Sequence, residues 1–70
     1  MEPNIISIKV KELRKKYNLM QEDLALKSGV GLRFLRELEQ GKPTVRMNKI
    51  NQVLYIFNME VGKSLYRRNI

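Results

Sequence analysis

The chain contains no cysteine, so neither a disulfide framework nor a thiolate metal site can hold it together. A cysteine-free composition is compatible with a reducing compartment. Histidine is absent too, which removes the commonest general base and the commonest metal ligand. The longest apolar run, residues 53–57, is far too short to span a bilayer. Met1-Glu2-Pro3 shows neither the basic nor the apolar stretch of a secretory leader, so a cytoplasmic location is expected. Acidic residues are scarce beside basic ones, 7 against 14, giving a formal charge of +7 and a pI near 10.1. On so small a domain that balance points to a polyanionic partner, nucleic acid or an acidic membrane surface; ribosomal and purely solubilising roles share it. A chain of 70 residues buries only about 60% of its unfolded surface. That suffices for one core of short stacked helices and is too little to enclose a large active site.

Apolar periodicity then organises what is present. Ile6, Val10, Leu13 and Tyr17 recur at spacings of 4, 3 and 4, one face of a first helix. Asn4 or Ser7 caps its start, and Asn18 ends it because asparagine tolerates the left-handed conformation of a C-terminal cap. Lys9, Lys11, Glu12, Lys15 and Lys16 form the solvated side. A second helix is predicted from Gln21 to about residue 28, with Glu22 and Asp23 in the first turn, where the helix dipole favours negative charge. Gly29 makes a turn and Val30 tucks inward. A third helix runs from about residue 32 to residue 40 and stops at Gly41 and Pro43. A loop over 42–46 leads to a fourth helix, about 47–57, whose apolar face is Ile50, Val53, Leu54 and Phe57. Asn58 offers another left-handed cap. Met59, Glu60 and Val61 alternate apolar and polar, which allows a short strand. Residues 62–70 form a basic tail with weak local preference.

Enzyme motifs fail individually. Gly62-Lys63-Ser64 has the ending of a phosphate-binding loop, but the earlier glycine would have to stand where Phe57 is. Glu37 and Glu39 are two residues apart on a helix and do not face one site. Ser7, Ser28 and Ser64 have no histidine to activate them. No catalysis, metal or cofactor is expected. The cations are spread over several elements rather than gathered on one amphipathic helix, which argues against attachment to an anionic membrane.

The stretch that organises the chain is residues 21–41, QEDLALKSGVGLRFLRELEQG, two short helices joined at Gly29. Leu24, Ala25, Leu35 and Leu38 point inward. In this stretch the sequence resembles the lambda-repressor-like (Cro/xenobiotic-response-element) helix-turn-helix family. Gln21 matches the glutamine that opens that family's second helix, Leu24-Ala25 its Leu-Ala pair, and Gly29-Val30 its turn. Leu35 and Leu38 match its inward apolar positions, Glu39-Gln40-Gly41-Lys42 its closing signature, and Arg14 an upstream arginine. The resemblance spans about residues 5–61. It implies an all-α, four- to five-helix DNA-binding domain over residues 1–61, with the helix-turn-helix unit at about 21–40 and a short C-terminal strand compatible with the pattern. It also implies an ion pair between Arg14 and Glu39 joining the first helix to the third. The run GLRFLRELEQGKPTVRMNKINQVL is similar to small HipB-type regulators, which implies an autoregulating antitoxin with a HipA-type toxin kinase as partner. Met20 and Gly31 depart from the family by standing where capping Ser or Thr is usual, each weakening a helix start by about 0.5–2 kcal/mol.

The function expected is sequence-specific binding of double-stranded DNA by a homodimeric repressor at a palindromic operator. Leu32, Arg33, Arg36, Glu37 and Gln40 lie on the outward stripe of the third helix. Arginine can pair bidentately with guanine, glutamate can accept from cytosine N4, and leucine can pack on a thymine methyl. Base contact is therefore assigned to Gln21, Leu32, Arg33, Arg36 and Glu37, and phosphate contact to Gln40, Lys42, Arg46 and Lys49. The plain alternative for the stripe is a solvated face with Arg33 paired to Glu37 at i, i+4. A reading from another class is a protein-interaction module that binds its partner through residues 59–70 with Met47 and Tyr55.

Overall fold

The computed structural model describes residues 4–42, 46–61 and 65–67. The expectations placed on residues 1–3, on Pro43, Thr44 and Val45, on Gly62, Lys63 and Ser64, and on residues 68–70 lie outside the described residues. Within them the order is α1 (Ile5–Lys16), α2 (Gln21–Ser28), α3 (Leu32–Glu39), α4 (Met47–Tyr55), β1 (Met59–Val61) and β2 (Leu65–Arg67). The two strands form one antiparallel hairpin, pairing Met59 with Arg67, Glu60 with Tyr66 and Val61 with Leu65.

Helix α1 begins on a reciprocal cap. Asn4 Oδ1 accepts from the Ser7 N–H at 2.8 Å, and Ser7 Oγ accepts from the Asn4 N–H at 2.9 Å. Both of the residues offered by the sequence therefore take part, and Ser7 is fully buried in doing so. The helix ends through Asn18 at φ 56, with Asn18 N–H bonded to the Lys15 carbonyl and Leu19 N–H to that of Arg14. That pair of bonds closes a helix whose next residue is left-handed. Asn58 takes the same conformation, at φ 58.

The core is Val10, Leu24, Ala25, Val30, Leu35, Leu38, Ile50, Val53, Leu54 and Phe57. Every position expected inward on the second, third and fourth helices is in it. Helix α3 packs against both α1 and α2, α2 also packs on α4, and α4 carries β1. The two helices of the turn unit are thus fixed from behind by α1 and α4, and the face of α3 away from them is left to solvent.

Three expectations need correction. Helix α4 ends at Tyr55, earlier than residue 57, and Ile56, Phe57 and Asn58 form a turn that swings the chain into β1. Tyr17 does not join the core. It sits at the end of α1, half exposed, and stacks on Phe57 with ring centroids 5.5 Å apart. The tail's weak local preference is overridden at Leu65–Arg67, which supplies the partner that the three-residue strand β1 requires.

Candidate nucleic-acid interface

The joint between α2 and α3 is made by three residues. Gly29 is left-handed at φ 78, and its N–H and that of Val30 both bond to the Ala25 carbonyl, at 3.0 and 3.2 Å. A Cβ at Gly29 would meet Gln52 Nε2 at 3.6 Å, an ordinary contact. The backbone angle, and not lack of room, is what requires glycine there. Gln52 Nε2 meanwhile donates to the Ser28 carbonyl at 3.3 Å, so α4 satisfies the end of α2. Val30 is buried beneath the joint and Gly31 starts α3 in an extended conformation with no side-chain cap. Met20 offers none to α2 either. There the loss is offset in part, because Asp23 Oδ2 accepts from the Met20 N–H at 2.9 Å.

Helix α3 has two unlike faces. Leu35, Leu38 and Glu39 are buried. At about 100° per residue, Leu32, Arg36, Gln40, Arg33 and Glu37 follow one another around an arc on the opposite side. Arg33 is 93% exposed at its side chain. Arg36 and Gln40 are exposed as well. Leu32 is only half-buried and packs against the core, so it forms the edge of this surface rather than its centre. Glu37 stands between two cations: Arg33 Nε is 3.6 Å from its Oε2, and Lys42 Nζ is 3.4 Å from the same oxygen. The i, i+4 pairing weighed from the sequence is present. The second cation, from Lys42, was not foreseen, since it depends on the chain reversing after α3.

Glu39 is the buried tie behind this surface. Its carboxylate is 2% exposed and accepts from Arg14 Nε at 2.7 Å and Arg14 Nη2 at 3.0 Å, a fork-on-fork pair. Arg14 Nη1 donates to the Leu19 carbonyl at 2.9 Å, which locks the α1–α2 connection to the same group. The hydrogen bond to Glu39 holds the Arg14 guanidinium above its ordinary pKa, against the opposing effect of burial and with help from the Glu39 and Glu22 charges. A cation whose pKa is raised on folding contributes stability that is fully present below its unfolded value and is lost only as pH rises through the folded one, so this contribution does not vary around neutral pH.

The remaining sequence-assigned residues separate in space. Gln21 Nε2 donates to Glu39 Oε1 at 3.2 Å, so its amide is an arm of the buried tie as well as a residue at the start of α2. That role had no sequence signal, since Gln21 and Glu39 stand 18 residues apart in the chain. Lys49 is half-buried with its Nζ 5.6 Å from the centroid of the Phe34 ring, a cation–π contact on the flank of α3. Arg46 is exposed at the start of α4. The structure therefore brings Arg33, Glu37 and Lys42 into one group beside Arg36 and Gln40, sets Lys49 and Arg46 on α4, and draws Gln21 toward Glu39. Among the described residues no group of acidic, histidine or cysteine side chains could hold a metal ion, and no helix is long and apolar enough to cross a membrane.

Comparison with known proteins agrees with this architecture. The family model described as helix-turn-helix matches residues 10–54, from the middle of α1 to the end of α4. The chain is 50% identical over 52 residues to the uncharacterized HTH-type transcriptional regulator y4mF of Sinorhizobium fredii (strain NBRC 101917 / NGR234), covering 74% of this chain and 68% of that protein. With the Gly29 joint, the buried Arg14–Glu39 tie and an α3 exposed on one side, these matches show that the chain belongs to the Cro/C1-type helix-turn-helix family.

Proposed function

We propose that this protein is a transcriptional regulator that binds double-stranded DNA sequence-specifically, with α3 lying in the major groove. The observation that carries the reading is the division of α3: Leu35, Leu38 and Glu39 anchor it, while Arg33, Arg36 and Gln40 stand free of the core on the opposite arc. Arg36 and Arg33 are the base-reading candidates, with Gln21, Glu37 and Leu32 at the margins, and Gln40, Lys42, Arg46 and Lys49 face the backbone. The protein acts as a homodimer on a palindrome, its two α3 helices about 34–36 Å apart, one duplex turn. Repression follows from occupying a promoter, in the cytoplasm where the DNA is.

Selection of bound duplexes from a random pool supplies the operator for the test. Arg36→Ala is expected to lose about 1–3 kcal/mol of preference at one base pair, with Arg33→Ala behaving alike. Because both side chains are exposed, the thermal midpoint by circular dichroism should stay where it is. A variant that melts the fold and leaves preference untouched would sink the assignment, as would wild-type binding that ignores salt.

A second reading has its own observation. Met47 and Tyr55 are large apolar side chains exposed on α4, the helix that carries the hairpin. They fit a protein partner, and in a HipB-type antitoxin that partner is a toxin kinase. Removing residues 62–70 deletes β2 and is expected to abolish dimer or partner binding while the helical core survives. Sedimentation and circular dichroism on the truncated chain would check this, and unchanged assembly would reject it.

A further inference from the structure

We propose that Glu37 sets specificity by restraint: it holds Arg33 and Lys42 away from the phosphates of non-cognate DNA and releases them where the duplex offers an amino donor in exchange. This rests on the DNA-binding reading and goes beyond it, because it assigns the carboxylate a task in the unbound protein. Both cations converge on one oxygen, with Arg33 Nε at 3.6 Å and Lys42 Nζ at 3.4 Å from Glu37 Oε2. The backbone arranges the second contact. Gly41 turns left-handed at φ 85, and the Lys42 N–H bonds to the Glu37 carbonyl at 3.1 Å. That closing turn returns Lys42 to the residue whose carboxylate it meets. Lys42 is thus tied to Glu37 through both main chain and side chain.

The chemistry of the groove makes this arrangement selective. Phosphate oxygens and guanine N7 and O6 are acceptors, and none of them can satisfy a carboxylate. When α3 approaches such groups, Glu37 is repelled, and Arg33 and Lys42 must leave it to reach their own partners. Only cytosine N4 and adenine N6 carry donors in the major groove, so only there does the carboxylate gain a bond as its cations depart. Specificity achieved by penalising the wrong partner is a general device. Both ion pairs are solvent-exposed, so the effect is several-fold rather than many orders of magnitude.

The test measures binding of the intact chain to a random-sequence duplex and to a duplex selected from a random pool, across a salt series. Glu37→Gln should bind the random duplex about three- to tenfold tighter, with a salt slope steeper by about one. The gain on the selected duplex should be smaller, so the ratio between the two falls. In a background carrying Arg33→Ala and Lys42→Ala, the gain from Glu37→Gln should drop to less than half, because the restrained cations are gone. Absence of a gain overturns the inference, as does an equal gain on both duplexes or a gain that persists undiminished in the double-alanine background. If the folded wild-type chain binds neither duplex, the DNA-binding reading fails instead, which separates that failure from the others.

Discussion

Glu39→Ala is expected to remove a large share of the domain's stability, from about a third to nearly the whole of it. Glu39 is almost wholly buried and is the acceptor for two nitrogens of Arg14 and for the Gln21 amide. Truncating it strands a guanidinium that is itself only 13% exposed, with the Leu19 carbonyl as its remaining partner. Removing one side of such a pair costs about 3–5 kcal/mol, mostly because the other charge stays desolvated. At roughly 0.05–0.15 kcal/mol per residue, a domain of this length has about 4–10 kcal/mol in all. The single substitution therefore takes away a third of the stability or nearly the whole of it. Replacing both partners, as in Arg14→Met with Glu39→Leu, should recover most of the loss, since no unpaired charge remains. Urea titration followed by helical circular dichroism separates the cases. A midpoint for Glu39→Ala close to wild type would show that Arg14 finds water readily and that the tie is not a buried one.

Leu35→Ala should destabilise nearly as much by a different route. Leu35 is completely buried on the inward face of α3, and truncating a leucine in such a place costs about 2–5 kcal/mol through lost transfer energy and the cavity left behind. For a domain of this size each kcal/mol lowers the melting midpoint by about 4–8 °C. Helix α3 has eight residues and no side-chain cap, too short to persist without tertiary support. Its order therefore depends on Leu35 and Leu38 being gripped. DNA binding by Leu35→Ala should weaken on operator and random duplex alike, in proportion to the folded fraction, and should recover on cooling. Arg36→Ala should show the opposite pattern, with stability kept and discrimination lost. If Leu35→Ala changed preference while its midpoint stayed put, the division of α3 into an anchoring and a reading face would be wrong.

Much of the helical frame was legible in the chain because it rests on local signals. The 4, 3, 4 spacing in the first helix, the Leu24-Ala25 and Leu35/Leu38 pairs and the Ile50, Val53, Leu54, Phe57 face all report periodicity, which a helix reads out over a few residues. Asn18, Asn58 and Gly29 carry their conformations in their own side chains, or in the lack of one: the two asparagines are left-handed as expected, and Gly29, expected as the turn, is left-handed as well. The Arg14–Glu39 pair came through family resemblance rather than spacing, since no local rule joins residues 25 apart.

The positions whose tertiary contacts the chain pattern does not show share a cause. Residues 65–67 have weak intrinsic preference and become a strand only because β1 presents unpaired backbone groups beside them. Tyr17 fits the helical stripe but lies at its end, where the stripe runs past the core and the ring stacks on Phe57 instead. Gln21 sits at a helix start, open to solvent by periodicity, yet its amide reaches Glu39 across the fold. Glu37 could be paired with Arg33 from spacing, but its contact with Lys42 needs the left-handed Gly41 turn to exist first.

By itself the sequence determined which segments become helices, where the chain turns, which faces are apolar and that the whole is strongly basic. These follow from side-chain periodicity, caps and charge, each a property of a residue and its neighbours along the chain. Tertiary structure alone decided which polar groups meet: Gln21 with Glu39, Lys42 with Glu37, Lys49 with Phe34, and β2 with β1. A long polar side chain has several partners within reach, and only the packed arrangement of α1 to α4 selects one. The surface offered by α3 is therefore set twice, first by the pattern that turns Arg33 and Arg36 outward, and then by the contacts that tie Glu37 and Glu39 on either side of it.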